Sequence, residues 1–326
     1  MRFRLATLLH LARLTAAETA GHPVCLLLML ACTTASILTP MLYLHNLGGG
    51  ATMAREGALA FHLTFGLFIA GYAASVALTR ELRDGTAAAV LARPVSRAGF
   101  FLAKFGGIVI VIGAFSLAAT VSALLATRIG SVYNLTFEGA QDMHTAAMAL
   151  GFPVLACAIA AVQNYRRGVA FQSRAFWLIP CAMLVALALA ACFDHDGSWA
   201  PFDPRVEPAV LQAALLITLA LCTLAAIALT LSVRLARIPV LALTILTLLA
   251  GLVSDYVLGR AAATSPAARF AYLLVPNWQH FWLSDAIGRG MEIPAAYLVG
   301  VSLYALLYTG GVLLAGIALI RHVDIS

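Results

Sequence analysis

Five stretches of this chain, Pro23–Leu44, Ala58–Thr79, Phe105–Thr127, Ala209–Val233 and Ala295–Ile320, contain no Asp, Glu, Lys or Arg. Each reaches the roughly 20 apolar residues that a helix needs to cross a bilayer. Three more, Thr145–Val162, Ala175–Phe193 and Ile238–Ser254, fall at the lower end of that range. The runs are continuously apolar rather than alternating, which excludes a transmembrane barrel. Only 10% of the 326 residues are charged, against about 25% in a soluble domain. So few charges cannot cover the surface of a soluble protein of this size. The chain is an integral membrane protein of the all-α class. The expected fold is a polytopic helical bundle of about eight spans, with six as the alternative count.

Charge gives the orientation. If the N-terminus is cytoplasmic and eight spans alternate, the inner segments carry Arg2, Arg4, Arg13, the five basic residues of 80–104, Arg166, Arg167, Arg174, Arg234, Arg237 and Arg321. The outer segments carry Arg55, Arg128, Arg205, Arg260, Arg269 and Arg289, together with most of the acidic residues. Cytoplasmic loops accumulate Lys and Arg, so this separation supports both the span count and an inner-membrane placement with both termini cytoplasmic. The same rule accounts for the net charge of +6 without a nucleic-acid partner. The basic leader is too long, and the first apolar core too extended, for a signal peptide. L-M-L-A-C ending at Cys32 faintly resembles a lipoprotein cleavage site. The six cysteines form no C-x-x-C pair, so neither a zinc site nor a disulfide framework is indicated.

Residues 1–22 are expected to lie on the cytoplasmic surface. Phe3, Leu8, Leu11 and Leu14 recur near helical spacing among Arg2, Arg4 and Arg13, the pattern of an amphipathic interfacial helix. Gly21–Pro23 then turns the chain into a single transmembrane domain over 23–326.

The segment 80–104 concentrates Arg80, Arg83, Arg93, Arg97 and Lys104 between two apolar runs. Gly85 permits a turn, and Thr86 is an N-cap candidate for a short helix over 87–92. Pro94 stops that helix and biases Arg93 toward extended backbone. Ser96 caps a second helix that leads into the third span. A generic positive loop would explain the charges but not this helix–stop–helix punctuation.

E-L-R-D-G-T-A-A-A-V-L-A-R-P-V-S-R, followed by F-x-x-x-K and an apolar run, resembles the segment after the second span of ABC-2 type transporter permeases. More narrowly, it resembles the multi-copper-enzyme-maturation-type branch. The resemblance implies a cytoplasmic coupling helix that docks on a separate ATPase. Glu81, Asp84, Gly85, Thr86, Arg93, Pro94, Ser96 and Arg97 match the motif. It further implies an ATPase dimer as partner, a second permease copy or paralogue, and ATP and Mg bound by the ATPase rather than by this chain. The surface helix before the first span agrees with the family. So does the segment 259–294, which looks like the short outer-leaflet helices before the last span. Many members have six spans, and eight is a departure centred on 145–237.

No G-x-x-x-x-G-K-[ST] phosphate loop occurs, so the chain cannot hydrolyse ATP by that route, and it is expected not to be an enzyme. Of the eight histidines only His62 falls in a span, near its outer end, where hydrogen bonding within the bundle is the ordinary role. The spans are otherwise read as uncharged, with Asp255 at a boundary, which argues against a carrier driven through buried carboxylates. Pro153 and Pro180 kink spans four and five or break them to line a site. The acidic loop 193–204 offers Asp194, His195, Asp196 and Asp203 to a cation or simply to solvent. Trp278, Phe281 and Trp282 are read as an interfacial aromatic belt. The expected function is a permease subunit moving lipid-like, hydrophobic or amphipathic cargo, or serving periplasmic protein maturation. The alternatives are a membrane assembly protein without a transport cycle and an ion-coupled carrier.

Overall fold

The computed structural model describes residues 2–42, 50–83, 96–132, 142–194, 196–203, 206–262 and 265–322. In chain order the helices are α1 (Arg2–Ala20), α2 (Pro23–Leu42), α3 (Gly50–Arg83), α4 (Arg97–Val132), α5 (Met143–Arg167), α6 (Phe171–Ala190), α7 (Pro208–Ser232) and α8 (Arg237–Ser254). After α8 come a π-turn over Asp255–Gly259 and one further turn over Arg260–Ala262. Then follow α9 (Pro266–Leu274), a 3-10 turn over Trp278–Phe281, α10 (Ser284–Gly288) and α11 (Ala295–Arg321). Among the described residues eight helices are long and apolar enough to cross a membrane, namely α2 to α8 and α11. The eight-span expectation holds, and α5 and α6 supply the hairpin that separates eight from six. Both stay helical through Pro153 and Pro180.

Alternation of the spans gives the bundle two ends. One carries Arg97, Arg166, Arg167, Arg174, Arg234, Arg237 and Arg321, and is called here the Arg-rich end. The other carries 191–207 and 255–294 and is the acid-rich end. The α5–α6 turn at the Arg-rich end closes on Gly168, whose φ of 64° is the left-handed conformation glycine adopts at no steric cost.

The helices run further than the charge-free stretches. α3 begins eight residues before Ala58 and α4 eight residues before Phe105. The charged side chains in those added turns are accommodated in place. Lys104 is fully buried, with its Nζ 5.6 Å from the Phe100 ring centroid, so its alkyl stem packs while the ammonium faces an aromatic surface. Lys104 and Arg128, which flank the charge-free stretch, both lie within α4.

α3, α4 and α7 form the centre, with α2, α5–α6, α8 and α11 around them. Lipid tails are as apolar as leucine side chains, so burial against lipid contributes little and close packing of small residues holds spans together. Ala70, Ala73, Ala74 and Ala77 make such a surface along α3, and Ala225, Ala226 and Ala228 along α7. Interior hydroxyls mostly return to their own helix, as when Ser36 donates to Cys32 O and Thr127 to Ala123 O, both at 2.8 Å. His62 is the buried exception. Its Nε2 hydrogen-bonds Ser116 Oγ at 2.9 Å, as expected, but it sits about three turns inside α3 rather than near the end, because the helix starts at Gly50.

α1 is helical as expected, and its buried face differs from the leucine stripe. Ala12, Thr15, Ala16, Thr19 and Ala20 pack inward while Leu9 and Leu14 stay exposed. Small residues allow α1 to lie close along α4, Leu8 and Leu11 are half-buried against the bundle, and Leu9 and Leu14 are left for the surroundings.

Candidate functional site

Of the expected coupling residues, Asp84, Gly85, Thr86, Arg93 and Pro94 lie outside the described residues. Glu81 belongs to the last turn of α3. Ser96 does what its sequence position implies. Its Oγ accepts from Gly99 N at 3.1 Å and its carbonyl from Phe100 N at 2.9 Å, so it caps α4. Thus α4 starts just after Ser96, within the segment expected to couple to an ATPase.

Arg97 turns toward the last span. Its Nη1 donates to Arg321 O at 2.9 Å and to Ile320 O at 3.3 Å. These are terminal carbonyls of α11, which have no partner within their own helix, and a cation there also complements the helix dipole. One turn further along, Phe101 lies over Gly316 of α11. The first turns of α4 and the last turns of α11 are therefore fastened together just after the segment expected to couple to an ATPase. At the same end His22, in the elbow between α1 and α2, hydrogen-bonds the Tyr72 hydroxyl of α3 through Nδ1 at 2.7 Å.

The upper half of α11 carries a second attachment, which reasoning from the sequence missed. Tyr304 OH accepts from Asn277 N at 3.1 Å, and Tyr308 OH donates to Leu274 O at 2.7 Å. Tyr308 is 13 residues past Ala295, about 20 Å along the helix, so the segment after α9 dips well into the bundle. It crosses α8 at Gly251. A Cβ there would collide with Pro276 O and the Trp278 ring. On either side of the crossing, Trp278 Nε1 donates to Thr247 O and Gln279 Nε2 to Leu252 O, both at 3.0 Å. Trp278 and Phe281 are thus buried within the bundle. The interfacial-belt reading of these two is corrected, since the neighbouring prolines and glycine gave no sign of how deep the chain goes.

Beneath this re-entrant segment, α7, α8 and α11 enclose an apolar crevice of about 480 Å³ whose lining includes Ile227, Leu231, Leu246, Leu274, Tyr308 and Val312. Among the described residues, two ion pairs tie elements together at the acid-rich end. Arg128 Nε lies 3.4 Å from Asp142 Oδ2, both buried, and its Nη2 donates to Phe193 O at 2.6 Å. Asp142 also caps α5 by accepting from Thr145 N and Oγ1. Arg55 Nη1 pairs with Glu207 Oε2 at 2.8 Å, and Nη2 donates to Ile287 O, which joins α3, α7 and α10. In the acidic loop, Ser198 donates twice to the Asp196 carboxylate and holds it below the ordinary carboxylate range. His195 lies outside the described residues, and among those described no group of three His, Cys, Asp or Glu could hold a metal.

No curated protein and no solved structure matches the chain. Residues 21–172 match a family model described as ABC-2 family transporter protein. That range runs from the α1–α2 elbow to the start of α6 and takes in the whole 80–104 segment. Over those residues the chain is similar to the ABC-2 transporter family, and its apolar helices are those of a multi-pass membrane protein.

Proposed function

We propose that this permease works as the transmembrane subunit of an ATP-driven exporter, with a separate ATPase dimer acting on residues 80–97. The Arg-rich end is then cytoplasmic, in a bacterial inner membrane. The observation that carries the reading is the family match across the segment after α3, in a chain that has no phosphate loop of its own. In this reading the energy for a transport cycle comes from the separate ATPase. Glu81, Asp84, Gly85, Thr86, Arg93 and Pro94 supply the docking surface, Ser96 starts α4, and Arg97 passes the displacement to α11. A second permease copy or paralogue completes the pathway. The apolar crevice beneath the re-entrant segment favours lipid-like or amphipathic cargo, and the narrower branch reading adds a role in periplasmic protein maturation.

Co-purification tests this directly. The intact permease is expected to bring down a phosphate-loop ATPase whose hydrolysis it stimulates. Arg93→Glu, or deletion of 86–92, should abolish the stimulation while the protein remains in the membrane. Full stimulation in both variants would remove the docking role. An intact permease that recovers no ATPase would favour the assembly-protein alternative.

A further inference from the structure

At the acid-rich end of α8, Asp255–Gly259 leaves the α-helical ladder for a π-turn before Arg260–Ala262. In an α-helix, residues five apart point roughly 140° away from each other. The i→i+5 pattern of a π-turn instead stacks them, which brings Asp255 and Arg260 to one side. Each charge is held by a tyrosine. Tyr272 OH donates to Asp255 Oδ1 at 3.0 Å, and the Arg260 guanidinium lies 4.3 Å from the Tyr256 ring centroid. The Tyr272 hydroxyl accepts in turn from Asn277 Nδ2 at 3.2 Å, and Asn277 N is bonded to Tyr304. The re-entrant segment and α11 therefore fix the acid in position. These residues, with Gly259 and Gln279, line an open cleft of about 510 Å³.

Two observations select the occupant. Asp255 is 18 residues past Arg237, about 27 Å along α8, close to the thickness of a hydrocarbon core of roughly 30 Å. The cleft thus lies at headgroup depth in the leaflet at the acid-rich end. The same turns of α8 and α9 expose the apolar side chains Val253, Val257 and Phe270, as a surface beside acyl chains requires. We infer that the cleft binds the headgroup of a zwitterionic phospholipid. The phosphate pairs with Arg260, and the ammonium lies against Asp255 and the Tyr272 ring. A lipid with phosphate but no amine satisfies Arg260 and leaves Asp255 facing an anion, so charge complementarity favours phosphoethanolamine over phosphoglycerol.

The test uses the full-length permease alone, purified in detergent, so its outcome is independent of any ATPase. Native mass spectrometry compares retention of short-chain phosphatidylethanolamine and phosphatidylglycerol. The amine lipid is expected to be held about tenfold more tightly, the margin of one charge-assisted hydrogen bond. Asp255→Asn, at an exposed position and nearly isosteric, should erase that preference, and Arg260→Gln should weaken both lipids. Equal retention of the two lipids, or an undiminished preference in Asp255→Asn, overturns the assignment. Displacement of the lipid by glycerophosphoethanolamine as effective as by the short-chain lipid overturns the membrane source, because the ligand is then a free phosphoamine.

Discussion

Single residues set the geometry at two places where no substitute is neutral. Gly251 is where the re-entrant chain crosses α8, and any Cβ collides with the backbone of Pro276 and the Trp278 ring. Gly251→Ala should cost about 1–3 kcal/mol, the usual range for overpacking a tight contact, with a lower thermal midpoint in detergent and altered Trp278 fluorescence. Arg128 is the second place. Removing it breaks the buried pair with Asp142, so Arg128→Ala should destabilise by about 3–5 kcal/mol. Adding Asp142→Asn to that variant should recover part of the loss in the same melts, because the buried charge is then gone. Neither residue stood out in the sequence. Arg128 read as one outer arginine among six, and Gly251 as one small residue in an apolar run. Their importance comes from partners 14 to 75 positions away, and spacing along the chain does not reveal such pairs.

At the scale of elements, local signals were legible and contacts between elements were not. The apolar runs located every span, and Ser96 capped α4 as its place after Pro94 implied. Helix ends were misjudged wherever a charge was taken as a boundary, because Lys104 and Arg128 are accommodated inside α4 by an aromatic face and a carboxylate. The π-turn that carries α8 past Ser254 has no composition signal at all. Arg97 was expected at the ATPase surface, and its guanidinium caps α11, so α11 is a rod held at its last turn by Arg97 and near its middle by Asn277 and Leu274. Loss of the cap by Arg97→Gln should loosen the last turn of α11 by about 0.3–1 kcal/mol. Hydrogen exchange would read this as faster amide exchange confined to 317–321, with the first turns of α4 unchanged. If the rod transmits the coupling movement, the same variant also lowers stimulated ATP hydrolysis while the ATPase still co-purifies, unlike Arg93→Glu, which removes binding itself.

For the whole molecule, the hairpin α5–α6 decides the topology. It packs mainly on itself and touches the centre through α4, so burial alone does not require it to cross the membrane. Its apolar length and its arginines at one end do, since Arg166, Arg167 and Arg174 at the turn favour the cytoplasmic side. Cysteine labelling at the two ends of the hairpin reads its topology directly. In a background with the six native cysteines replaced by alanine, Tyr165→Cys and Trp199→Cys put thiols at opposite ends of the hairpin, both at highly exposed positions. A membrane-impermeant maleimide applied to spheroplasts should label position 199 at once and position 165 only after permeabilisation. Labelling of both from outside would return the hairpin to one side of the membrane and reduce the count to six. Labelling of 165 alone would invert the bundle, which would move the coupling segment away from any cytoplasmic ATPase. The orientation and the proposed energy source therefore stand or fall on the same pair of positions.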